Sequence, residues 1–334
     1  MEWDPTQFFR ADDPPTPFAL VVLNQPINEK AFAVLKGHAC ITVCADGGAN
    51  HYYDLMKRQG REALDLPSLI IGDLDSISPD VRSHYTDLGV SVIEDRDQYS
   101  TDFTKCLNYL RSHAHEIVGR GSDTTTSTAI APSSESTGPG SRTTPVLNTL
   151  ILGGLGGRVD QAFSQIHHLY TMTQEMQHQQ QQGPTQEEHE KQEEGNLYLI
   201  SEESITFILR PGKNVIRTPG TNRPLPPSTT STTTIGGGAA AAAATPSSSS
   251  LIPSERPLNE GENHLLEENV GIIPLSGPAR ITTSGLQWDV TDWATEIGGQ
   301  LSTSNHIRAD VVEVESQVPV LFTVELARRF KRTR

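Results

Sequence analysis

Cysteine is scarce in this sequence. The chain has 334 residues and only three cysteines, Cys40, Cys44 and Cys106, and no two of them form a CxxC pair. Three thiols without such a pair cannot build a disulfide framework or a zinc ribbon. The sequence therefore predicts free thiols in a reducing compartment.

Long apolar runs and targeting patterns are also missing. No apolar run approaches the roughly 20 residues that a membrane-spanning helix needs. The first fifteen residues are polar and acidic, unlike a signal or transit peptide. A cytoplasmic location is therefore expected by default, with no membrane as partner.

Positive charge is in the minority, with 26 Lys and Arg residues against 41 Asp and Glu residues, and the formal net charge is −15. An acidic protein repels the phosphates of nucleic acids and anionic membranes, so neither is expected as a partner. Much of the excess lies in two glutamate-rich stretches, around residues 175–194 and 255–268. Acidity is therefore mainly a property of predicted linkers.

Hydrophobic residues are few for an enzyme of this length, at 35% of the chain, and three polar segments account for the shortage. The segment at about 119–144 is rich in Ser, Thr, Gly and Pro, 174–195 contains Gln and Glu runs, and 218–262 carries Thr, Gly, Ala and Ser tracts. Such sequences bury too little apolar surface to offset the entropy of ordering. All three are predicted to be disordered insertions.

The first half of the chain alternates predicted strands and helices. Near-continuous apolar runs, typical of strands covered on both faces, occur at Phe18–Leu23, Cys40–Cys44, Leu69–Ile71, Val90–Ile93 and Leu147–Leu152. Helical periodicity at about 101–117 and 159–172 predicts two apolar faces, formed by Phe103, Leu107 and Leu110 and by Val159, Phe163, Ile166 and Tyr170. This alternation predicts a mainly parallel, Rossmann-like α/β domain over residues 16–195.

The second half, residues 196–330, has short strands separated by turns. The predicted strands are Leu197–Ile200, Ser204–Leu209, Val270–Pro274, Ala279–Thr283, Leu286–Val290, Val311–Val314 and Val320–Glu325. This pattern predicts a small antiparallel β-sandwich, appended to the first sheet or partly continuous with it.

Two carboxylates, Asp73 and Asp75, follow one predicted strand directly. With one residue between them they lie on one side of an extended chain, roughly 7 Å apart. Their mutual repulsion is relieved by a hard cation, and Mg²⁺ with bound phosphates suits the carboxyl end of a strand. A surface turn with helix-capping Asp and Ser residues is the alternative interpretation of this motif.

Two more strand ends carry polar residues. Asp46 follows a strand and precedes Gly47 and Gly48, which allow a ligand to approach the backbone closely. A helix begins near Thr101, which places Asp102 and Lys105 together on the side opposite its apolar face. A metal carboxylate beside a phosphate-binding lysine needs this arrangement, although a tight turn and a capping box with an ion pair would give the same residues.

A fourth strand end carries a glycine-rich loop, Gly153-Gly154-Leu155-Gly156-Gly157, followed by Arg158. Such a loop can wrap phosphate oxygens, and an arginine can clamp them bidentately. The loop is neither a Walker A loop, since it has no GK[ST], nor a dinucleotide fingerprint, since Val159 stands where the last glycine belongs. Four strand ends with this chemistry predict one shared site.

The ordered series CADGGAN, IGDLDSI, QYSTDFTKC and LGGLGGRVDQ resembles the eukaryotic thiamine pyrophosphokinase family, with weaker matches in TTSGLQWDV and STSNHI. The resemblance implies an ATP- and Mg²⁺-dependent transfer of diphosphate to thiamine, which gives thiamine diphosphate and AMP. It also implies a homodimer whose active sites lie at the subunit interface. The three long insertions depart from the compact form of the family but interrupt none of its motifs.

The resemblance and the chemistry together assign roles to site residues. Charge on the transferred group would be stabilised by Mg²⁺ on Asp73, Asp75 and Asp102, with Asp46 also assigned to catalysis. The residues expected to bind ATP phosphates are Gly47, Gly48, Thr101, Lys105, Gly156, Gly157 and Arg158. The residues expected to contact thiamine are Gln98, Asp160, Trp288, Ser302 and Asn305, with Trp288 as a cation–π platform for the thiazolium ring.

Three other functions remain open. One is a glycosyltransferase that uses the DxD pair to hold a nucleotide sugar, and another is a different Mg²⁺/ATP-dependent small-molecule kinase. The third is a non-catalytic nucleotide-binding scaffold. The glycosyltransferase leaves the helix beginning at Thr101 and the glycine-rich loop unexplained, and the scaffold leaves the full carboxylate set unexplained.

Overall fold

The computed structural model describes residues 1–11, 16–122, 146–181, 195–224 and 263–332. In the first half, strands and helices alternate in the order β1 (Glu2–Trp3), β2 (Phe18–Val22), α1 (Glu29–His38), β3 (Ile41–Ala45), α2 (Gly48–Arg58), β4 (Leu69–Gly72), α3 (Pro79–Asp87), β5 (Ser91–Glu94), α4 (Asp102–Ser112), α5 (Ala114–Ser122), β6 (Asn148–Leu152) and α6 (Val159–Gln181). The predicted α/β alternation is confirmed.

The second half consists of strands. They are β7 (Leu197–Ile200), β8 (Ser204–Leu209), β9 (Gly212–Arg217), β10 (Thr221–Asn222), β11 (Leu266–Pro274), β12 (Ala279–Ser284), β13 (Trp293–Thr295), β14 (Ser302–His306), β15 (Val311–Ser316) and β16 (Val320–Leu326). Within the described ranges, no helix is both long and apolar enough to cross a bilayer.

One sheet runs through both halves in the order β10-β11-β16-β8-β7-β6-β2-β3-β4-β5, with β14 also paired to β11. Neighbouring strands are parallel along the series β7, β6, β2, β3, β4 and β5. The pairs β7–β8, β8–β16 and β16–β11 are antiparallel. A second sheet, β1-β9-β15-β12-β13, contributes to the same apolar core as the antiparallel part of the first. The predicted fold class is confirmed, and the division into domains at residue 195 stays a prediction because the first sheet continues across it.

Helices cover the parallel strands on both faces. Phe32 of α1, Tyr52 of α2 and Tyr85 of α3 pack in the core on one face. Helices α4, α5 and α6 pack on the other through a set that includes Leu107, Ile117 and Leu169. Because successive strand residues point to opposite faces, every residue of β2 is buried.

The helix predicted over 101–117 is two helices, α4 and α5, which are separated at His113. Its predicted apolar face is confirmed, since Phe103, Leu107 and Leu110 are buried. The predicted face of α6 is partly wrong, because Val159 and Phe163 are 71% and 65% exposed. The buried side chains of α6 are instead Gln165, Leu169, Met172 and Thr173.

The ends of the predicted insertions are ordered. Helix α5 continues to Ser122. Helix α6 continues to Gln181, because glutamine is a good helix former and extending a helix costs less than starting one. Thr218 and Thr221 are buried, and Thr221 begins β10. The prediction of disorder is wrong for the parts that the structure describes, residues 119–122, 174–181 and 218–224. Residues 123–144, 182–194 and 225–262 lie outside the described residues.

The strand predicted at Leu286–Val290 is also wrong. Only Leu286 forms a bridge there, with Ile307. The Asp289 carboxylate accepts the N–H groups of Gly285 and Leu286, which closes the segment into a turn.

Candidate active site

Three carboxylates converge at one edge of the parallel sheet. Asp46 follows β3 and Asp73 follows β4, and these strands are parallel neighbours. Asp102 begins α4. One carboxylate oxygen from each residue lies within 4.8 Å of the others. Carboxyl ends of adjacent parallel strands meet at the same edge, which is where ligands of open α/β sheets bind.

Gly72 makes this convergence possible. A Cβ atom at position 72 would lie 2.6 Å from Cβ of Asp46 and 3.0 Å from Oδ1 of Asp102. Any side chain at this position would therefore push the carboxylates apart.

Asp46 is almost fully buried, at 1% exposure, and has φ 40°. Its Oδ2 accepts the N–H of Ser76 at 2.9 Å, and its Oδ1 accepts the N–H of Ile77 at 3.0 Å. Burial raises the pKa of the Asp46 carboxyl above its ordinary value, and the negative charge of Asp102 raises it further. The hydrogen bonds from the two N–H groups lower this pKa but do not cancel the increase. Asp46 therefore ties the loop after β4 to the end of β3.

Lys105 places one positive charge beneath the carboxylates. Its side chain is 1% exposed, and Nζ lies 3.2 Å from Oδ1 of Asp102 and 4.0 Å from Oδ2 of Asp73. The backbone N–H of Asp73 also donates to Oδ1 of Asp102, at 3.3 Å. One lysine against three carboxylates leaves net negative charge at the site.

The remaining residues predicted near this edge are placed as follows. Asp75 lies outside the group of three, and its Oδ1 accepts the hydroxyl of Ser76 at 2.8 Å. Thr101 is the N-cap of α4 and accepts the N–H of Thr104 at 3.3 Å. Gln98 is exposed in the segment between β5 and α4. Gly47 and Gly48 are buried at the start of α2.

The glycine-rich loop joins β6 to α6. Leu155 and Gly157 have φ values of 63° and 72°, so the loop uses left-handed backbone at both positions. The Leu155 N–H donates to Oε1 of Gln165, at 2.7 Å. Arg158, 77% exposed, forms a bidentate pair with Asp160 at 3.1 and 2.6 Å. In this arrangement the two predicted ligand-binding side chains bind each other.

A cavity of about 150 Å³ opens at the point where the order of strands reverses. Strand β2 lies between β3 and β6 there, and dinucleotide and mononucleotide sites in α/β sheets occur at such points. Its lining includes Thr101 and Asp102, together with residues absent from the sequence-based set: Asn24, Gln25, Gln161, Ser164, Gln165 and His168. The position of Asn24 and Gln25 shortly after the end of β2 is the signal that could have identified them.

His168 links the cavity to the start of α4. Its Nε2 lies 3.3 Å from the hydroxyl of Thr101, and its ring packs edge-on against Phe103. Burial lowers the pKa of His168, and neighbouring His167 lowers it further. The neutral ring is therefore favoured at the helix N-terminus.

Trp288 and Asn305 form a separate cluster beside β14. The indole is 54% exposed and lies 5.1 Å from the ring of His306. Buried Asn305 accepts the N–H of Trp288 at 3.1 Å and donates to its carbonyl at 3.0 Å. Ser302 is partly buried at the start of β14. Asn305 thus holds the backbone that presents the indole.

A groove of about 720 Å³ lies between the glycine-rich loop and the antiparallel strands. Gly156 and Gly157 line one side, and Thr303 and Ser304 of β14 line another. The structure therefore brings together the predicted phosphate loop and the neighbours of Ser302 and Asn305, whereas Asp102 of the carboxylate group lines the other cavity.

Known proteins match this chain over most of its length. The family model described as thiamin pyrophosphokinase, catalytic domain, matches residues 32–180, and that described as thiamin pyrophosphokinase, vitamin B1 binding domain, matches residues 257–321. Thiamine pyrophosphokinase 1 of Arabidopsis thaliana is 29% identical, with 93% of this chain and 87% of the relative covered. Thiamine pyrophosphokinase 1 of Oryza sativa subsp. japonica is 27% identical, with 95% and 90% covered.

Solved structures of thiamin pyrophosphokinases have a fold similar to that of this chain. The thiamin pyrophosphokinase from Candida albicans aligns with a TM-score of 0.63 and 23% identity, over 97% of this chain and 92% of that one. The yeast thiamin pyrophosphokinase aligns with a TM-score of 0.64 and 23% identity, over 97% and 90%. The two family models together cover more than half of the sequence, and both describe one enzyme. The chain belongs to the thiamine pyrophosphokinase family and is a transferase.

Proposed function

We propose that this protein transfers the diphosphate of ATP to the hydroxyl of thiamine, giving thiamine diphosphate and AMP. The names of its relatives state this class of activity. The observation that carries the proposal is the group of Asp46, Asp73 and Asp102 above buried Lys105, at the edge where α/β sheets bind phosphorylated ligands.

The donor set fits Mg²⁺. Three carboxylates offer oxygen ligands within 4.8 Å of one another, and a single lysine leaves their charge partly uncompensated. Hard divalent cations prefer oxygen ligands of this kind. Asp73 and Asp102 would hold the ion, with Asp75 two residues further along the same loop. When bound, Mg²⁺ supplies positive charge for the phosphate oxygens.

The chain's own residues bind and orient the phosphates. Gly47 and Gly48 lie at the start of α2, and Thr101 lies at the start of α4. The N–H groups at a helix N-terminus favour anions. Lys105 compensates the carboxylates. Gly156, Gly157 and Arg158 would bind phosphate oxygens from the glycine-rich loop, with Arg158 exchanging Asp160 for a phosphate.

At the β-phosphorus, the reaction breaks one bond and forms one bond. The thiamine oxygen attacks the β-phosphorus, the bond from that phosphorus to the α,β-bridging oxygen breaks, and AMP leaves with the bond's electron pair. The O–H bond of the attacking hydroxyl also breaks, and its proton is released to solvent water. Positioning and charge stabilisation carry most of the catalysis in such transfers.

In this proposal the protein binds the positive charge of the thiamine thiazolium ring and the polar groups of thiamine. The exposed face of Trp288 suits the thiazolium cation, and Asp160, once released by Arg158, adds negative charge. Gln98 and Ser302 supply polar contacts. Asn305 acts through Trp288, because its amide is already bonded to the backbone of that residue.

A homodimer with sites shared between subunits is also proposed, in the cytoplasm. The carboxylate group and Trp288 lie in separate clusters within one chain, so a second copy is one way to bring them together. Val159 and Phe163 leave an exposed apolar surface beside the glycine-rich loop, as expected for a subunit contact. The α/β region would then supply ATP and Mg²⁺ binding and the sandwich would supply thiamine binding.

The test is incubation of the purified protein with ATP, Mg²⁺ and thiamine, followed by separation of the nucleotides. We expect AMP to accumulate only when thiamine is present, and chelation of Mg²⁺ to stop it. ADP as the main nucleotide would instead indicate another small-molecule kinase. ATP binding without turnover would indicate a scaffold.

A further inference from the structure

Gln25 lies against the glycine-rich loop. It follows β2, and its backbone N–H donates to the carbonyl of Leu23, at 2.8 Å. A Cβ atom at Gly157 would lie 2.7 Å from Oε1 and 3.1 Å from Nε2 of Gln25. The amide of Gln25 thus lies where a side chain at position 157 would be, and the absence of a Cβ there makes room for it.

The Gln25 amide has no hydrogen-bond partner among the described residues of the protein. It lies half-buried on the wall of the 150 Å³ cavity, which also contains Asp102 and Thr101. A half-buried amide with two donor hydrogens makes its hydrogen bonds to water or to a ligand in that cavity.

The surroundings of the amide favour an anion. Gly157 directly precedes Arg158, whose guanidinium is 77% exposed and pairs with Asp160, and α6 begins two residues after Gly157, at Val159. A neutral amide next to a cation and a helix N-terminus is suited to donate to a phosphate oxygen.

We propose that Gln25 is a phosphate-contacting residue that donates a hydrogen bond from Nε2 to the polyphosphate chain of ATP. Its packing against Gly157 fixes the distance between the glycine-rich loop and the polyphosphate. This inference rests on the proposed function and adds to it a residue of the nucleotide site that carries no charge.

The test compares Gln25→Glu and Gln25→Ala with the unaltered protein. Gln25→Glu keeps the shape of the side chain but replaces the donor with a negative oxygen. Gln59→Glu is the matched control, because Gln59 is exposed at the end of α2 and receives the same charge change. Calorimetric titration without thiamine measures Kd for Mg²⁺–ATP and for Mg²⁺–tripolyphosphate, and melting temperatures check folding.

We expect Gln25→Glu to raise Kd for both ligands by at least about tenfold, as a charge-assisted hydrogen bond becomes a like-charge contact. Gln25→Ala should raise both by a smaller factor, and Gln59→Glu should raise neither. Equal affinities in all four proteins would overturn the inference and leave the proposed function standing. A change for ATP but none for tripolyphosphate would overturn it too, because the contact would then be to the nucleoside. If the unaltered protein bound neither ligand, the proposed function would fail as well.

Discussion

The carboxylate of Asp46 accepts the backbone N–H of Ser76, thirty residues later in the chain, at 2.9 Å. Its second oxygen accepts the N–H of Ile77, so both oxygens hold the loop that follows β4. That loop carries Asp73 and Asp75. Asp46 therefore influences the two carboxylates proposed to bind the metal through the backbone as well as through its own charge.

Asp46→Asn should loosen this loop. Replacing one acceptor oxygen by an NH₂ group leaves a buried N–H unpaired, which costs about 1–3 kcal/mol of the free energy of unfolding. Turnover should fall more than tenfold, with a higher Mg²⁺ requirement. Denaturant titration and initial rates measured against Mg²⁺ concentration check both expectations.

Asp54→Asn is the matched control, since Asp54 is exposed on α2. It should change neither stability nor Mg²⁺ dependence. An Asp46→Asn protein that is as stable and as active as this control would contradict the role of Asp46 as a tie between β3 and the loop.

Asn305→Ala should act on thiamine binding through Trp288. Loss of both hydrogen bonds to the Trp288 backbone frees the indole to move, so KM for thiamine should rise several-fold while KM for ATP stays constant. Because both residues serve one contact, Asn305→Ala should add little to Trp288→Ala in a double variant. Additive losses, or an increase in KM for ATP, would show that Asn305 acts independently of Trp288.

Removal of residues 225–253 should leave the melting temperature and activity nearly unchanged. The deleted sequence has few large apolar residues, and the entropy of closing a loop depends only weakly on its length. Extending the deletion to residues 218–253 should lower stability, since Thr218 and Thr221 are buried and bonded to neighbouring backbone. Thermal melts of the two deletions are the measurement. Equal melting temperatures would contradict the prediction that residues 218–224 contribute to stability and residues 225–253 do not.

A mixed dimer tests the shared site. If the carboxylates of one subunit act with Trp288 of the other, one site of an Asp73→Asn/Trp288→Ala heterodimer carries both defects and the other carries none. Random pairing makes half of the dimers mixed, so co-refolding equal amounts should restore roughly a quarter of normal turnover in a closed two-fold dimer. Activity equal to the average of the two unmixed variants would exclude shared sites.

The parallel sheet could be predicted because its strands are buried on both faces and read as continuous apolar runs, as in β2. Strand β14 was missed because its sequence, STSNH, is polar throughout. The segment at Leu286–Val290 has the alternation of a strand, but the Asp289 side chain bonds to the backbone and turns it. A segment with alternating apolar and polar residues can therefore form a turn instead of a strand when a side chain bonds to its backbone. The hydrophobic pattern of the sequence does not predict such a contact.

The site was partly predictable for a related reason. Strand ends indicated that Asp46, Asp73, Asp75 and Asp102 would meet. The structure brings one carboxylate oxygen each of Asp46, Asp73 and Asp102 within 4.8 Å of one another and leaves Asp75 outside the group. The sequence did not show that Lys105 is buried beneath them. Gln25 is a neutral residue outside any charged or glycine-rich pattern. Its position after β2 is its signal in the sequence, and the structure adds its packing against Gly157.

The central claim is that diphosphate moves as a unit from ATP to thiamine, and isotopic labelling tests it most directly. ATP labelled at the β-phosphorus is incubated with Mg²⁺, thiamine and the protein, and both products are isolated. The account predicts that all transferred label is in thiamine diphosphate, that AMP is unlabelled, and that the two form in equal amounts. Asp73→Asn should form neither at a comparable rate. Label retained in ADP, with thiamine monophosphate as the partner product, would contradict the account.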